Sequence, residues 1–142
     1  MRSKAPLLLM EQMVMLLVFA LAAALCLQAF VKSDGLSGDS EARDRAVILC
    51  QNAAETIRRF GGESVSQEAA RTLGYHYDHG VLYQEFDEDW EPAERGAYRL
   101  EAEARPAEVP GLREAVVRVT DAGGETIFSI PIAWQGEVGD HG

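Results

Sequence analysis

Four groups of residues carry side chains with chemical potential. The run His76-Tyr77-Asp78-His79 offers two imidazoles and a carboxylate, the raw material of a metal site. On a strand or turn the two histidines do not converge as they would at i,i+4 on a helix, and no further ligand set accompanies them. Turn and sheet surface is the expected role. Asp87, Glu88, Asp89, Glu91 and Glu94, with Glu85 before them, supply oxygens of the kind calcium takes, but without EF-hand spacing. A solvated loop is expected there. Cys26 and Cys50 would lie tens of ångströms apart on one continuous helix, at about 1.5 Å per residue, and could not bridge. Cys50 reads as a small buried apolar residue, not a reactive thiol. The fourth group is a single residue, Glu11, inside an apolar run.

No G-x-S-x-G, P-loop, dinucleotide fingerprint or H-E-x-x-H occurs in the chain. Ser, His and Asp are present in no recognisable catalytic arrangement. The expectation is therefore no enzyme activity, no catalytic residue, no cofactor and no bound metal.

Glu11 gains its meaning from its surroundings. From Leu7 to Val31 the strongly polar residues are Glu11, Gln12 and Gln28. That run is long enough to cross a hydrocarbon core of about 30 Å with tilt. A carboxylate at a helix centre in lipid costs roughly 2.5–3.5 kcal/mol, and less near an interface, so Glu11 asks for a partner or for headgroup water. Arg2 and Lys4 precede the run and favour a cytoplasmic N-terminus. A cleaved secretory signal is the rival reading, with Ala22-Ala23-Ala24 as an A-x-A-like site and a mature N-terminus near Leu25. The run is long for such a signal, and Glu11 sits awkwardly near its start, so a retained anchor is expected.

The chain has 142 residues, and the part beyond the apolar run suffices for one small domain. From Ser33 onward there are ten arginines, no lysine and twenty-two acids, a balance of −12. Such a surface repels nucleic acid and anionic lipid. The two cysteines form no disulfide framework.

The elements that position these groups follow from periodicity. Ser33 to Ser40 contains Gly35, Gly38 and several cap-type residues, which predicts a hinge at 34–38 or a weak point in a longer helix. Ala42, Ala46, Leu49, Ala53, Ile57 and Phe60 then recur at helical spacing, and Gly61-Gly62 supplies the stop. Asp39–Arg43, Glu41–Arg45 and Glu55–Arg59 are i,i+4 pairs in the favourable orientation. Ser66 to Leu73 predicts a short capped helix ending at Gly74. Tyr75 to Phe86 predicts a hairpin turning at Asp78-His79-Gly80. Ala97 to Arg105 alternates, with Tyr98, Leu100, Ala102 and Ala104 on one face. Val116 to Thr120 and Thr126 to Trp134 predict a second hairpin around Asp121-Ala122-Gly123-Gly124, with Pro131 placing its last strand at an edge. The expected fold class is α+β: a transmembrane helix continuing into an amphipathic helix packed on a small antiparallel sheet. Its expected divisions are a leader at 1–6, a membrane helix at 7–31, a hinge at 32–40, a domain at 41–135 and a flexible tail at 136–142.

Leu7-Leu8-Leu9-Met10-Glu11-Gln12-Met13-Val14 resembles the start of type IV pilins and of the pseudopilins of type II secretion. Their signature is a short basic leader, a glycine, a phenylalanine or methionine, then Thr-Leu-Ile/Leu-Glu and an apolar helix. Arg43-Asp44-Arg45-Ala46 and Cys50-Gln51-Asn52-Ala53-Ala54-Glu55 are similar to the emerging helix of minor pseudopilins. The resemblance implies a pilin-like minor structural subunit of a pilus or secretion pseudopilus in the cell (inner) membrane. It would be single-pass, with its C-terminal domain extracytoplasmic. It implies partners in membrane lipid, in other pilin-like subunits through the N-terminal helix, and in a polytopic assembly platform. It also implies assembly through Glu11, which in the family pairs with the freed N-terminal amine of a neighbour, and processing with methylation at Pro6–Leu7. Two positions depart from the signature: Pro6 stands in place of the glycine, and Leu7 in place of the phenylalanine. Proline beside a scissile bond hinders cleavage; with that bond intact, Lys4 or Arg2 of a neighbour would have to meet Glu11. The alternative expectation is a single-pass membrane protein with an extracytoplasmic ligand- or partner-binding domain unrelated to pili.

Overall fold

In the computed structural model, which describes residues 4–62 and 64–136, helix α1 runs unbroken from Ala5 to Phe60. Arg2 of the expected leader and residues 137–142 of the expected tail lie outside the described residues. The chain divides into two compact units between Ser40 and Glu41. In the first unit every described residue is exposed.

The expected hinge at 34–38 is helical. Gly35 and Gly38 each cost about 1 kcal/mol relative to alanine. Breaking the helix would instead create two new ends with their orphaned backbone groups and a new nucleation step, so flanking helix carries the weak segment. A Cβ added at either glycine meets nothing within 4 Å. Gly35→Ala and Gly38→Ala should each raise hydrogen-exchange protection of amides 34–42 by about fivefold, corresponding to ~1 kcal/mol of helix propensity. Unchanged protection would place the weak point elsewhere.

In the second unit, one face of α1 closes the core. Ala46, Cys50, Ala53, Ala54 and Ile57 are buried, while Ala42, Leu49 and Phe60 are half-buried. The covered stripe is thus centred on Cys50 and Ala53, slightly rotated from the Ala42–Leu49–Phe60 line. Apart from Ile57, the buried side chains of that stripe are small. Gly61 ends the helix against Trp134: a Cβ on Gly61 would stand 2.6 Å from the Ile57 carbonyl oxygen and 2.7 Å from Trp134 Nε1. The same indole Nε1–H donates to the Gly62 carbonyl at 2.9 Å, tying the chain after the helix to the last strand.

Helix α2 spans Gln67–Leu73. Ser66 is its N-cap: its hydroxyl oxygen accepts from Ala69 N–H at 3.2 Å, and its O–H donates to the Phe60 carbonyl. Gly74 closes it in the left-handed conformation at φ 73°, which glycine adopts without penalty.

Six antiparallel strands follow: β1 (His76–Asp78), β2 (Val81–Phe86), β3 (Pro92–Ala93), β4 (Tyr98–Arg105), β5 (Leu112–Asp121) and β6 (Thr126–Gln135). Their order is β1-β2-β4-β5-β6, with β3 also paired to β2. The register places β1 against Val81–Tyr83 and β3 against Glu85–Phe86, so the two short strands share one flank of β2. The fold is α+β. Leu82, Phe86, Leu100, Ala102, Ala115, Val117, Val119, Ile132 and Trp134 line the covered face. Each fully buried leucine, isoleucine or valine contributes on the order of 1.5–3 kcal/mol. Ala104, on the same side as Leu100, is exposed together with Glu103 and Arg105, because the end of β4 runs past the core. β5 starts four residues before the expected Val116. Arg113 and Glu114 conceal that start in the sequence, and Gly111 at φ 82° supplies the turn into it.

Both flanks of the sheet carry a proline. Gly136 N–H donates to the Gly111 carbonyl, and counting back along the β5–β6 register makes Pro131–Val116 a non-hydrogen-bonded pair. The Pro131 nitrogen therefore faces outward and costs no ladder bond. Asp87 N–H donates to the Glu91 carbonyl, which by the same count turns the Pro92 nitrogen outward on the opposite flank. Each proline removes a donor that a foreign strand would need.

Candidate assembly site

Glu11 lies in the second turn of α1, in the stretch from Leu7 to Val31 that is apolar all round. Leu7, Met10, Met13, Leu17, Phe19, Leu25 and Phe30 are each between 61% and 76% exposed. A helix apolar on every side requires an apolar environment on every side. α1 contains one stretch long and apolar enough to cross a membrane, and none of that stretch is buried within the protein. At 100° per residue, Glu11, Met15, Val18, Ala22, Leu25 and Ala29 fall on one narrow line of the cylinder. Gln12 lies about a quarter turn away.

Pro6 and Leu7 sit in the first turn of α1. Leu8 N–H donates to the Lys4 carbonyl at 3.2 Å, closing the first helical bond. Proline is accepted there because its missing N–H would have had no intrahelical partner. The Pro6–Leu7 peptide bond thus lies in helical backbone.

Cys26 is exposed in the first unit, while the histidine run, the acidic stretch and Cys50 lie in the second. His76 stacks on Tyr83 with ring centroids 5.4 Å apart, while His79 Nδ1 lies 2.7 Å from its neighbour Asp78 on the exposed turn. His79 and Gly80 both have positive φ, 48° and 84°, the geometry of a two-residue hairpin turn. The two imidazoles serve different neighbours. Among the described residues no group of three or more His, Cys, Asp or Glu side chains could hold a metal ion.

The acidic stretch is a tight turn. Asp87 Oδ1 accepts from Asp89 N–H and Glu91 N–H, both at 2.9 Å. Asp121 repeats the pattern with Gly123 and Glu125 at the same distances. The left-handed position, held by Gly124 in the second turn, is held by Trp90 at φ 64° in the first. A non-glycine residue in that region is disfavoured by about 1–2 kcal/mol. The indole is stacked on Tyr98 at 3.9 Å and 8°, and leans on Phe86. That stack holds the backbone where the turn needs it. Sequence pattern alone signals the turn at Asp121-Ala122-Gly123-Gly124 through its glycines; Trp90 conceals its twin.

The uncovered face of the sheet carries a charged ladder. Arg99 pairs with Glu85 at 3.2 Å and Glu101 at 3.0 Å, Arg118 pairs with Glu101 at 3.0 Å, and the Arg99 guanidinium lies over Tyr83 at 4.7 Å. The strict alternation of β4 places these residues on one face but does not reveal their cross-strand partners. Partly solvated pairs of this kind are worth about 0.2–1 kcal/mol each. They specify register and leave little unmatched charge at the centre of the face.

Cys50 is fully buried, and burial pushes its thiol up to about 12 from 9.0; burial also raises the Tyr75 phenol, with a smaller contribution from Cys50. Both groups favour the protonated native state. The unfolded thiol releases its proton above about pH 9 while the folded one holds it, so stability falls as pH rises from about 9 toward 12. Cys50→Ala should flatten this alkaline loss in melts taken between pH 8 and 11. At pH 8 the native Cys50 thiol should resist alkylation until the domain unfolds. An unchanged alkaline slope would remove the thiol from the account.

Family models, curated proteins and solved structures were compared with the chain, and none matches.

Proposed function

We propose that this chain is a pilin-like minor subunit, anchored by α1 in the cell membrane and assembling with other pilin-like chains through that helix. The observation that carries the reading is Glu11 as the one acid of the exposed apolar stretch Leu7 to Val31, which continues in the same helix into a segment closing the core of an antiparallel α+β domain. The role is structural, without catalysis. Lys4 at the head of α1 favours a cytoplasmic N-terminus, which puts the acidic domain on the far side of the membrane. A polytopic platform protein is the expected assembly partner in the bilayer.

Two features of the domain support a helix-borne mode of association. The outward prolines Pro92 and Pro131 make both sheet flanks poor templates for an added strand. The open sheet face matches its own charges in the Glu85–Arg99–Glu101–Arg118 ladder. The apolar stretch with its single acid, by contrast, is exposed on every side.

The test is co-purification of the full chain from native membranes after mild detergent extraction. Recovery with other chains bearing apolar N-terminal helices supports the reading. Recovery of the chain alone, or with a soluble extracytoplasmic ligand, would replace it with that of a membrane-tethered binding domain.

A further inference from the structure

We infer that the turn at 87–91, with the amide of Gln84 beside it, is a docking point for an arginine-bearing segment of a partner protein. It stands at one end of the sheet in the second unit, apart from the open sheet face, and holds whatever α1 associates with. Its centre is aromatic. Phe86 and Tyr98 are register partners on β2 and β4, and Trp90 stacks on Tyr98 and leans on Phe86. Tyr75 meets Phe86 edge-on at 6.0 Å. Phe86 is buried, yet Trp90 stays half-buried. The turn itself does not require the indole: the turn at Asp121 makes the same two side-chain bonds with Gly124 in the left-handed position and no ring. A tryptophan kept where glycine would serve adds a partly open aromatic surface, and tryptophan is enriched among the residues that dominate binding energy at interfaces.

Gln84 points to a ligand independently of the acids. It is 4% exposed and shares the covered face of β2 with Phe86. Its Nε2 donates to the Glu85 carbonyl at 2.8 Å and to the Ala93 carbonyl at 3.5 Å, which places the amide head at β3, directly after the turn. Its Oε1 accepts from no group among the described residues, and solvent reaches it. An almost buried amide oxygen without a donor leaves one hydrogen bond to be made by an incoming N–H. Charge then selects the sign of that donor. Glu88, Asp89, Glu91 and Glu94 are exposed around the ring. Among the described residues none of the four takes part in an ion pair, and neither does Arg95 beside them. The sheet face, by contrast, pairs its own charges.

A guanidinium answers all three features. Its plane stacks on an indole, its charge meets the unpaired carboxylates, and its five N–H donors serve carboxylate and amide oxygens together. A lysine ammonium matches the charge but not the plane. Nucleic acid and anionic lipid are repelled by the same carboxylates. The occupant is therefore a protein segment that presents arginine.

The experiment uses the full chain in micelles of an uncharged detergent, titrated calorimetrically with end-blocked hexa-arginine and hexa-lysine at physiological ionic strength. Hexa-arginine should bind about fivefold more tightly than hexa-lysine, from stacking on the indole. Trp90→Gly suits the backbone of the turn, should keep the circular-dichroism spectrum, and should weaken hexa-arginine binding by about tenfold. The triple variant E88Q/D89N/E91Q changes exposed side chains alone and should weaken it by about tenfold as well, which keeps the test open should Trp90→Gly fail to fold. Gln84→Met removes the amide oxygen at similar volume and should cost about fivefold. The control E55Q/E68Q/E108Q neutralises as many acids elsewhere and should leave binding unchanged. Equal affinity for the two peptides, an equal loss in the control, or undiminished binding in Trp90→Gly would each overturn the docking point. Self-association of the chain without peptide that disappears in Trp90→Gly would make a second copy the occupant and overturn the partner assignment.

Discussion

Glu11→Ala should leave the chain in the membrane pellet after alkaline carbonate extraction and remove it from its assembly. The alanine deletes the only acid of the apolar run, so insertion improves by roughly 2.5–3.5 kcal/mol at most, less if the residue sits near the interface. Association responds in the opposite sense. Any chain that offered a cation to Glu11 now holds that cation unpaired in lipid, and removing one partner of a desolvated pair costs roughly 3–5 kcal/mol. At 1.4 kcal/mol per tenfold, that is a loss of about two to three and a half orders of magnitude in binding. Co-purified partners should fall below detection while the amount of the chain itself stays constant. Glu11→Gln should lie between, because the amide keeps a polar contact and loses the charge. Retained co-purification in Glu11→Ala would show that the carboxylate is only an interfacial group reaching headgroup water.

Gly96→Ala should destabilise the domain by about 3 kcal/mol or more, through overpacking that no side-chain rotation can relieve. A Cβ there would stand 1.9 Å from the Phe86 carbonyl oxygen and 2.5 Å from its carbon. Both are backbone atoms of β2, paired with Tyr98 of β4 in the sheet. The Gly96 N–H also donates to Glu85 Oε2 at 3.0 Å, so displacing this loop disturbs the head of the charged ladder. For a domain of about one hundred residues the melting temperature should fall by roughly 10–20 °C. Gly62→Ala is the matched control, since a Cβ at Gly62 meets nothing within 4 Å, and it should melt within a few degrees of the wild type. Equal melting of the two variants would mean that the Gly96 loop adapts without cost.

Much of this architecture is legible in residue types. The alternation from Tyr98 to Ala102 marks β4, the two glycines after Phe60 mark the end of α1, and Ser66 with Gly74 brackets α2, because each signal is local and physical. Pro131 correctly implies an edge strand. Other features depend on contacts that only the fold creates. The burial of Cys50 is legible from its type, but its place at the centre of the stripe is set by the position of the sheet. Trp90 occupies a glycine's conformation because Tyr98, eight residues on, stacks against it. Gln84 is buried yet donates to the Glu85 and Ala93 carbonyls, a bond that requires β3 alongside β2. The glycines at 35 and 38 read as either a hinge or a weak point within a longer helix, and helix on both sides carries the backbone through.

For the candidate site the balance is different. The types and spacing of Pro6 and Glu11 are visible in the chain, and the continuous helix adds the line that Glu11 shares with Met15, Val18 and Ala22 and the helical setting of the Pro6–Leu7 bond. On the proposed reading, the partner of Glu11 belongs to another chain in the membrane, which a single chain does not identify. The most direct measurement is therefore made there. A photo-cross-linking amino acid placed at Val18, on the Glu11 line of α1, is activated in native membranes, and the adducts are identified by mass spectrometry. The account predicts adducts to the apolar N-terminal helices of pilin-like chains, this chain included, and their loss when Glu11 is also changed to alanine. Adducts to lipid alone, unchanged by that second substitution, would contradict it.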